Sequence, residues 1–203
     1  NALTRPVLEA VAGVHRDAEL PRYHPRPLAA RPAAEASPVN REAPAFGRKA
    51  VIYATCFANY NSPDIGLAAR AVLARNGVET EVVHPACCAM PQLENGDIAA
   101  VAAAAARVAA ELVGWLDKGY DVVSLVPSCS LMLKFEWPLI VPDNADVGRL
   151  SGATQDIAEY VVDIAKNEGL TDGMSALDGG VTVHIACHAR AQNMGHKAAE
   201  MLR

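Results

Sequence analysis

Five cysteines stand in this 203-residue chain, and two of them, Cys87 and Cys88, are adjacent in the stretch "VVHPACCAMPQLENGD". Neighbouring cysteines do not readily bridge each other, because a disulfide wants its Cα atoms further apart than one peptide unit normally places them. Three or four thiolates gathered in one place suit a soft metal or an iron–sulfur cluster instead. Adjacent ligands make most sense on a multi-iron cluster, where each sulfur reaches a different iron. Free cysteine also fills cores, so position has to decide between packing and ligation.

The elements around the cysteines supply that position. Residues 49–57, "KAVIYATCF", read as a strand rich in β-branched and aromatic residues. A helix follows, with Ser62 as N-cap, Pro63 at its first position and Asn76-Gly77 as its stop. Residues 78–85 form the second expected strand. Asp97 caps an Ala-rich helix that ends at Lys118-Gly119, and residues 120–127 form the third strand. Residues 130–141 and 154–169 read as helical, residues 179–187 as a fourth strand, and the remainder as another helix. Strands alternating with helices predict an α/β fold: an open, mostly parallel, doubly wound (Rossmann-like) sheet with helices on both faces and right-handed crossovers.

On this reading every strand runs into cysteine. Cys56 ends the first, Cys87 and Cys88 follow the second, Cys129 follows the third and Cys187 ends the fourth. Open parallel sheets bind ligands beyond the carboxyl ends of their strands, and neighbouring strands lie roughly 4.8 Å apart. Cys56, Cys87, Cys88 and Cys129 are therefore expected to converge on one site. Cys187, beyond a long helical crossover, is expected to belong to another.

Composition narrows the alternatives. A hydrophobic fraction of 51% fits a buried core, and a net charge of −5 argues against nucleic acid as a partner. Five cysteines are too few for a disulfide-dense secreted scaffold. Arg5, Pro6 and Glu9 break up the N-terminal stretch, so no signal peptide is read there. Ile98–Leu116 is long and apolar, but it is mostly alanine and carries Arg107 and Glu111, so it reads as an amphipathic helix and no transmembrane segment is expected. The expected location is cytoplasmic. No Gly-rich phosphate fingerprint follows the first strand, which argues against nucleotide binding. Residues 1–48 are a Pro/Ala/Arg-rich arm or linker lying over the surface. The chain opens on Asn1 and stops at Arg203 inside a helical run, so it is expected to be a piece of a larger polypeptide.

"TCFANYNSPDIG", "PACCAMPQLENGD" and "PSCSLMLK" resemble the cysteine-rich (CCG) domain found in the second subunit of heterodisulfide reductase. That domain also occurs in the third subunit of anaerobic glycerol-3-phosphate dehydrogenase and in the iron–sulfur subunit of glycolate oxidase. The stretches are also similar to bacterial heterodisulfide reductase-related iron–sulfur binding proteins. The spacing is similar: thirty residues separate Cys56 from Cys87, and forty separate Cys88 from Cys129. The resemblance implies a first cysteine-rich domain over residues 49–178 and the truncated start of a second over 179–203, where "HIACHARAQNMG" offers Cys187 as first ligand. It also implies a [4Fe–4S] cluster, noncubane in heterodisulfide reductase, and ferredoxin-type modules upstream. The implied partners are a redox protein, a dehydrogenase subunit or a quinone, and the complex would lie peripherally at the inner membrane. Two departures stand out. Ala89 replaces the motif glycine, and Met132 replaces the second cysteine of Cys-x-x-Cys. The four cysteines left are enough for an ordinary [4Fe–4S] cluster or a tetrahedral zinc.

Among the neighbours, His188 and Asn59 are candidates to hydrogen-bond the ligands or cluster sulfurs, whereas His84 and His184 are expected to pack or hydrogen-bond within their strands. Three functions compete: electron transfer through a cysteine-bound cluster, a structural zinc domain for assembly, and a thiol enzyme using Cys187 beside His188. The last is weakest, because adjacent side chains on an extended segment point to opposite faces.

Overall fold

Ala50, Val51, Ile52 and Tyr53 expose no surface, which marks their strand as the centre of a sheet covered on both sides. This is β1 (Lys49–Tyr53). The computed structural model describes residues 4–31, 37–173, 175 and 178–203. Within them β1 lies between β2 (Glu79–Val83) and β3 (Asp121–Ser124), and β4 (Thr154–Asp156) completes the order β2-β1-β3-β4, with every pair parallel. The α/β, doubly wound expectation holds.

Alternate residues of β1 serve two cores, as the period of a strand requires. Val51 and Tyr53 join Val122 beneath α4 (Ile98–Leu116) and α7 (Ala145–Ala153). Ala50, Ile52 and Ala54 join Val123 beneath α2 (Pro63–Arg75) and α8 (Ile157–Asn167). Val101, Ala105, Val108, Ala109, Leu112 and Val113 form one buried face of α4, so this helix, long and apolar enough to cross a membrane, is built into the core. Its N-cap is as expected, with Asp97 Oδ1 accepting from the Ala100 amide at 3.0 Å.

Three local expectations need correction. The fourth strand is not residues 179–187. Gly179 and Gly180 take positive φ values of 83° and 75°, and residues 180–186 have no regular structure. The strand is Thr154–Asp156, inside the stretch expected to be wholly helical, and it pairs Val122 with Thr154. Asp156 ends it and at once caps α8 through a reciprocal capping box with Glu159. The first strand stops at Tyr53 rather than running to residue 57, because Thr55 turns to φ 47°. The arm also does more than lie on the surface. Leu28, Ala43 and Ala45 are buried, and a Cβ on Gly66 would sit 2.0 Å from Leu28 Cδ2. Gly77, at φ 89°, leaves room for the backbone of Phe46. Residues 1–3 and 32–36 of the arm lie outside the described residues.

Candidate metal centre

Ladder pairing brings the ends of three strands to one level: Tyr53 pairs with Val83 on one side and with Ser124 on the other. Cys56, Cys87 and Cys129 follow that level by three, four and five residues. The chain leaves β1 toward β2 and later returns to β1's other side as β3, so the order reverses between β1 and β3. Such a switch point opens a crevice at the carboxyl ends of the strands.

The four cysteines meet there in a chain. Cys88 Sγ donates to Cys129 Sγ at 3.2 Å, and the Cys56, Cys87 and Cys88 sulfurs lie close enough to shift one another's protonation. Cys88 and Cys129 are buried while Cys56 and Cys87 are half-buried, which gives the site a floor and a mouth. Hydrogen bonds from Cys56 and Cys88, helped by the Ala89 amide at 3.4 Å, hold the Cys87 sulfur well below the ordinary thiol value. Cys56 and Cys88 are pushed up, Cys56 first by its bond to Cys87 and Cys88 first by its bond to Cys129. A donor set of four thiols with one sulfur already favoured as thiolate fits a thiophilic centre. Among the described residues, no group of three or more His, Cys, Asp or Glu side chains is arranged to hold a metal ion.

The backbone beside these cysteines departs from ordinary helix and strand geometry. Thr55 before Cys56 and Ala89 after Cys88 are left-handed, at φ 47° and 63°, which costs a non-glycine residue on the order of 1–2 kcal/mol. Ala89 occupies the motif's glycine position in a glycine-like conformation. Cys56 leads into a π-helical turn, Phe57–Asn61. Cys129 lies on α5 (Pro127–Leu131), which runs into a second such turn, Met132–Glu136. π-turns are rare and gather at functional sites. Two aromatic side chains hold the paired cysteines from beneath. Fully buried Tyr53 donates its hydroxyl to the Ala86 carbonyl at 2.7 Å, and Trp137 Nε1 donates to the Cys88 carbonyl at 3.1 Å. Burial, then the charges of the cysteines, pushes the Tyr53 hydroxyl far above its ordinary value, so it stays a donor.

The remaining candidates fall differently. Asn59 is buried, and its Oδ1 accepts from the Ala29 amide at 2.8 Å, so that oxygen anchors the arm. Cys187 is exposed on α9 (Cys187–Ala191), and no interaction joins it or His188 to the four cysteines among the described residues. Both residues are helical, not extended. α9 is tied to α5 instead through Gln192, whose Nε2 donates to the Pro127 carbonyl at 3.0 Å and to Ser130 Oγ at 3.3 Å. His184 is exposed outside any strand, and His84 lies just past β2 with Nε2 4.0 Å from Cys56 Sγ, so neither lies within a strand as expected. Met132 is fully buried in the core that also holds Cys88 and Cys129. Sequence reasoning missed Tyr53, Trp137 and His84 as parts of the site. Only the histidine, three residues before a strand-end cysteine pair, carried a local signal.

Residues 50–134 match the family described as a cysteine-rich (CCG) domain. Among curated proteins, "Lactate utilization protein A" of Bacillus pumilus is 27% identical over 145 residues, covering 69% of this chain and 58% of the relative. Proteins of the same name from Bacillus cytotoxicus and Bacillus cereus are 25% identical over 145 residues, covering 57% of each relative. The chain therefore spans a little over half the length of the curated relatives it matches. No solved structure gives a significant match.

Proposed function

We propose that this chain, whose residues 50–134 are a cysteine-rich (CCG) domain, holds an iron–sulfur cluster on Cys56, Cys87, Cys88 and Cys129 and is the electron-transfer part of a heterodisulfide-reductase-like oxidoreductase. The observation that carries the reading is the meeting of four thiols from three successive strand-end loops, two buried and two half-buried, at the switch point of the sheet. When bound, such a cluster takes up and releases single electrons, at a potential set by burial and by hydrogen bonds to its sulfurs. The chain's own residues supply those settings. The Ala89 amide meets the Cys87 sulfur, Trp137 and Tyr53 fix the backbone of Cys88 and Ala86, and the apolar core seals Cys88 and Cys129 from water. With one ligand from this chain on each of four irons, such a cluster would have no open iron position, so the domain would relay electrons rather than bind a substrate sulfur.

Cys187 is assigned to a second site that starts another cysteine-rich unit over residues 179–203. The relatives' name supports a role downstream of the oxidation of a small organic acid such as lactate, with a dehydrogenase subunit, ferredoxin-type modules or a quinone as exchange partners. The location fitting these partners is cytoplasmic, at the inner face of the membrane. Anaerobic reconstitution with iron and sulfide tests the cluster. The expected outcome is iron and acid-labile sulfide in equal amounts, about four of each per chain, with a visible absorption band that bleaches on reduction. Uptake of zinc alone, with no iron–sulfide chromophore, refutes it in favour of a structural zinc domain.

A further inference from the structure

Beside the backbone amides, His84 brings the row of thiols a non-cysteine side-chain nitrogen. It is the first residue past β2, and the bond from the Ala54 amide to the Val83 carbonyl, 2.9 Å, carries the ladder up to its edge. The histidine is thereby set level with the start of the Cys56 loop, and its Nε2 lies 4.0 Å from Cys56 Sγ. Its ring is clamped by Tyr60, edge-on at 5.3 Å between centroids, and by Tyr53, tilted by 30° at 6.2 Å. The other ring nitrogen, Nδ1, is buried and has no hydrogen-bond partner. Whichever nitrogen carries the proton, the imidazole keeps one buried polar atom that the protein does not satisfy, and such atoms ask for a ligand or water. A ring held this firmly beside a thiol, with a lone pair or N–H to spare, is built to meet something the protein itself does not provide.

We propose that His84 is itself a ligand in this centre, an imidazole nitrogen taking the iron position that the neighbouring Cys56 sulfur would otherwise fill. The inference rests on the iron–sulfur reading above and deepens it from an all-thiolate set to a mixed one. Imidazole suits iron, and exchanging thiolate for neutral imidazole in a cluster raises its reduction potential. His84 thereby places this domain toward the accepting end of its electron chain.

The test is pulsed electron paramagnetic resonance on the reconstituted, one-electron-reduced chain, grown with ordinary or 15N-labelled histidine. A strong nitrogen coupling that changes with the label is expected, as is its loss in His84→Ala. The His84→Cys variant, which restores a thiolate, is expected to load a cluster with a lower midpoint potential. The labelling comparison needs no substitution, so a variant that fails to fold does not blunt it. Full loading of iron and sulfide with only the weak couplings of hydrogen-bonded nitrogens overturns the ligand assignment and leaves the cluster reading intact. No uptake of iron and sulfide at all removes both.

Discussion

Replacing Trp137 by phenylalanine tests whether the paired cysteines are held from the core. Trp137 is fully buried, packs in the cluster that contains Cys88, Cys129 and Met132, and donates Nε1 to the Cys88 carbonyl at 3.1 Å. Phenylalanine keeps an aromatic ring but removes the donor and part of the indole volume. Cys88 is buried, so its carbonyl is left without that partner at a cost of about 1–3 kcal/mol. The partial cavity adds roughly 1 kcal/mol. The sum, about 2–4 kcal/mol, corresponds to a drop in Tm of roughly 4–16 °C for a domain of this size. Thermal unfolding of the metal-free chain followed by far-UV circular dichroism measures it. The same variant should release iron to a chelator faster than the natural chain, because the Cys88 turn loses its tether. Trp115→Phe is the matched control. Its ring is only half-buried, against Tyr120 and Lys118, and it should shift Tm by no more than a few degrees. Equal effects of the two substitutions, or an unchanged rate of iron loss in Trp137→Phe, would refute the argument that Trp137 positions Cys88.

Three further outcomes follow from the geometry. Gly66→Ala drives a methyl into Leu28, so it should cost about 1–3 kcal/mol and expose the arm to early cleavage in limited proteolysis; an arm as resistant as in the natural chain would contradict the packing. In the metal-free chain at pH 6, iodoacetamide should alkylate Cys87 before Cys56 and leave Cys88 until last, as mapped by peptide mass, because hydrogen bonds hold Cys87 as thiolate while Cys88 is buried and pushed up. Burial lowers His84 below its ordinary value of 6.5, so its contribution to stability is present above pH 6.5 and lost as the pH falls through the depressed value; the metal-free natural chain should lose more stability on acidification than His84→Gln, and parallel denaturation midpoints for the two would count against it.

Much of the scaffold was legible because it is encoded locally. β1's β-branched and aromatic run announced a strand, and Asp97, Pro63 and Gly77 marked helix ends through hydrogen bonds and dihedral angles within a few residues of themselves. The cysteines were legible for the same reason, since a thiol that follows a strand by three to five residues inherits the strand's address. β4 was not. Three residues carry no usable period, and Thr154–Asp156 is a strand only because the edge of β3 offers it a ladder. Residues 179–187 had β-type composition, but the stretch opens on two left-handed glycines and no strand edge receives it.

The sequence by itself determined which atoms are offered: four thiols, placed after successive strands of a parallel sheet and spaced so that they have to approach one another. Tertiary structure decided how they are presented. The reversal of strand order between β1 and β3 opens the crevice, and the common level of Tyr53, Val83 and Ser124 converts three separate loops into one site. Trp137 reaches the Cys88 carbonyl from 49 positions away, Leu28 fills the space over Gly66, and His84 meets Cys56 across 28 positions. Such contacts leave no mark in a local window of residues, because their energy depends on which surfaces folding brings together and not on the order in which the residues are written.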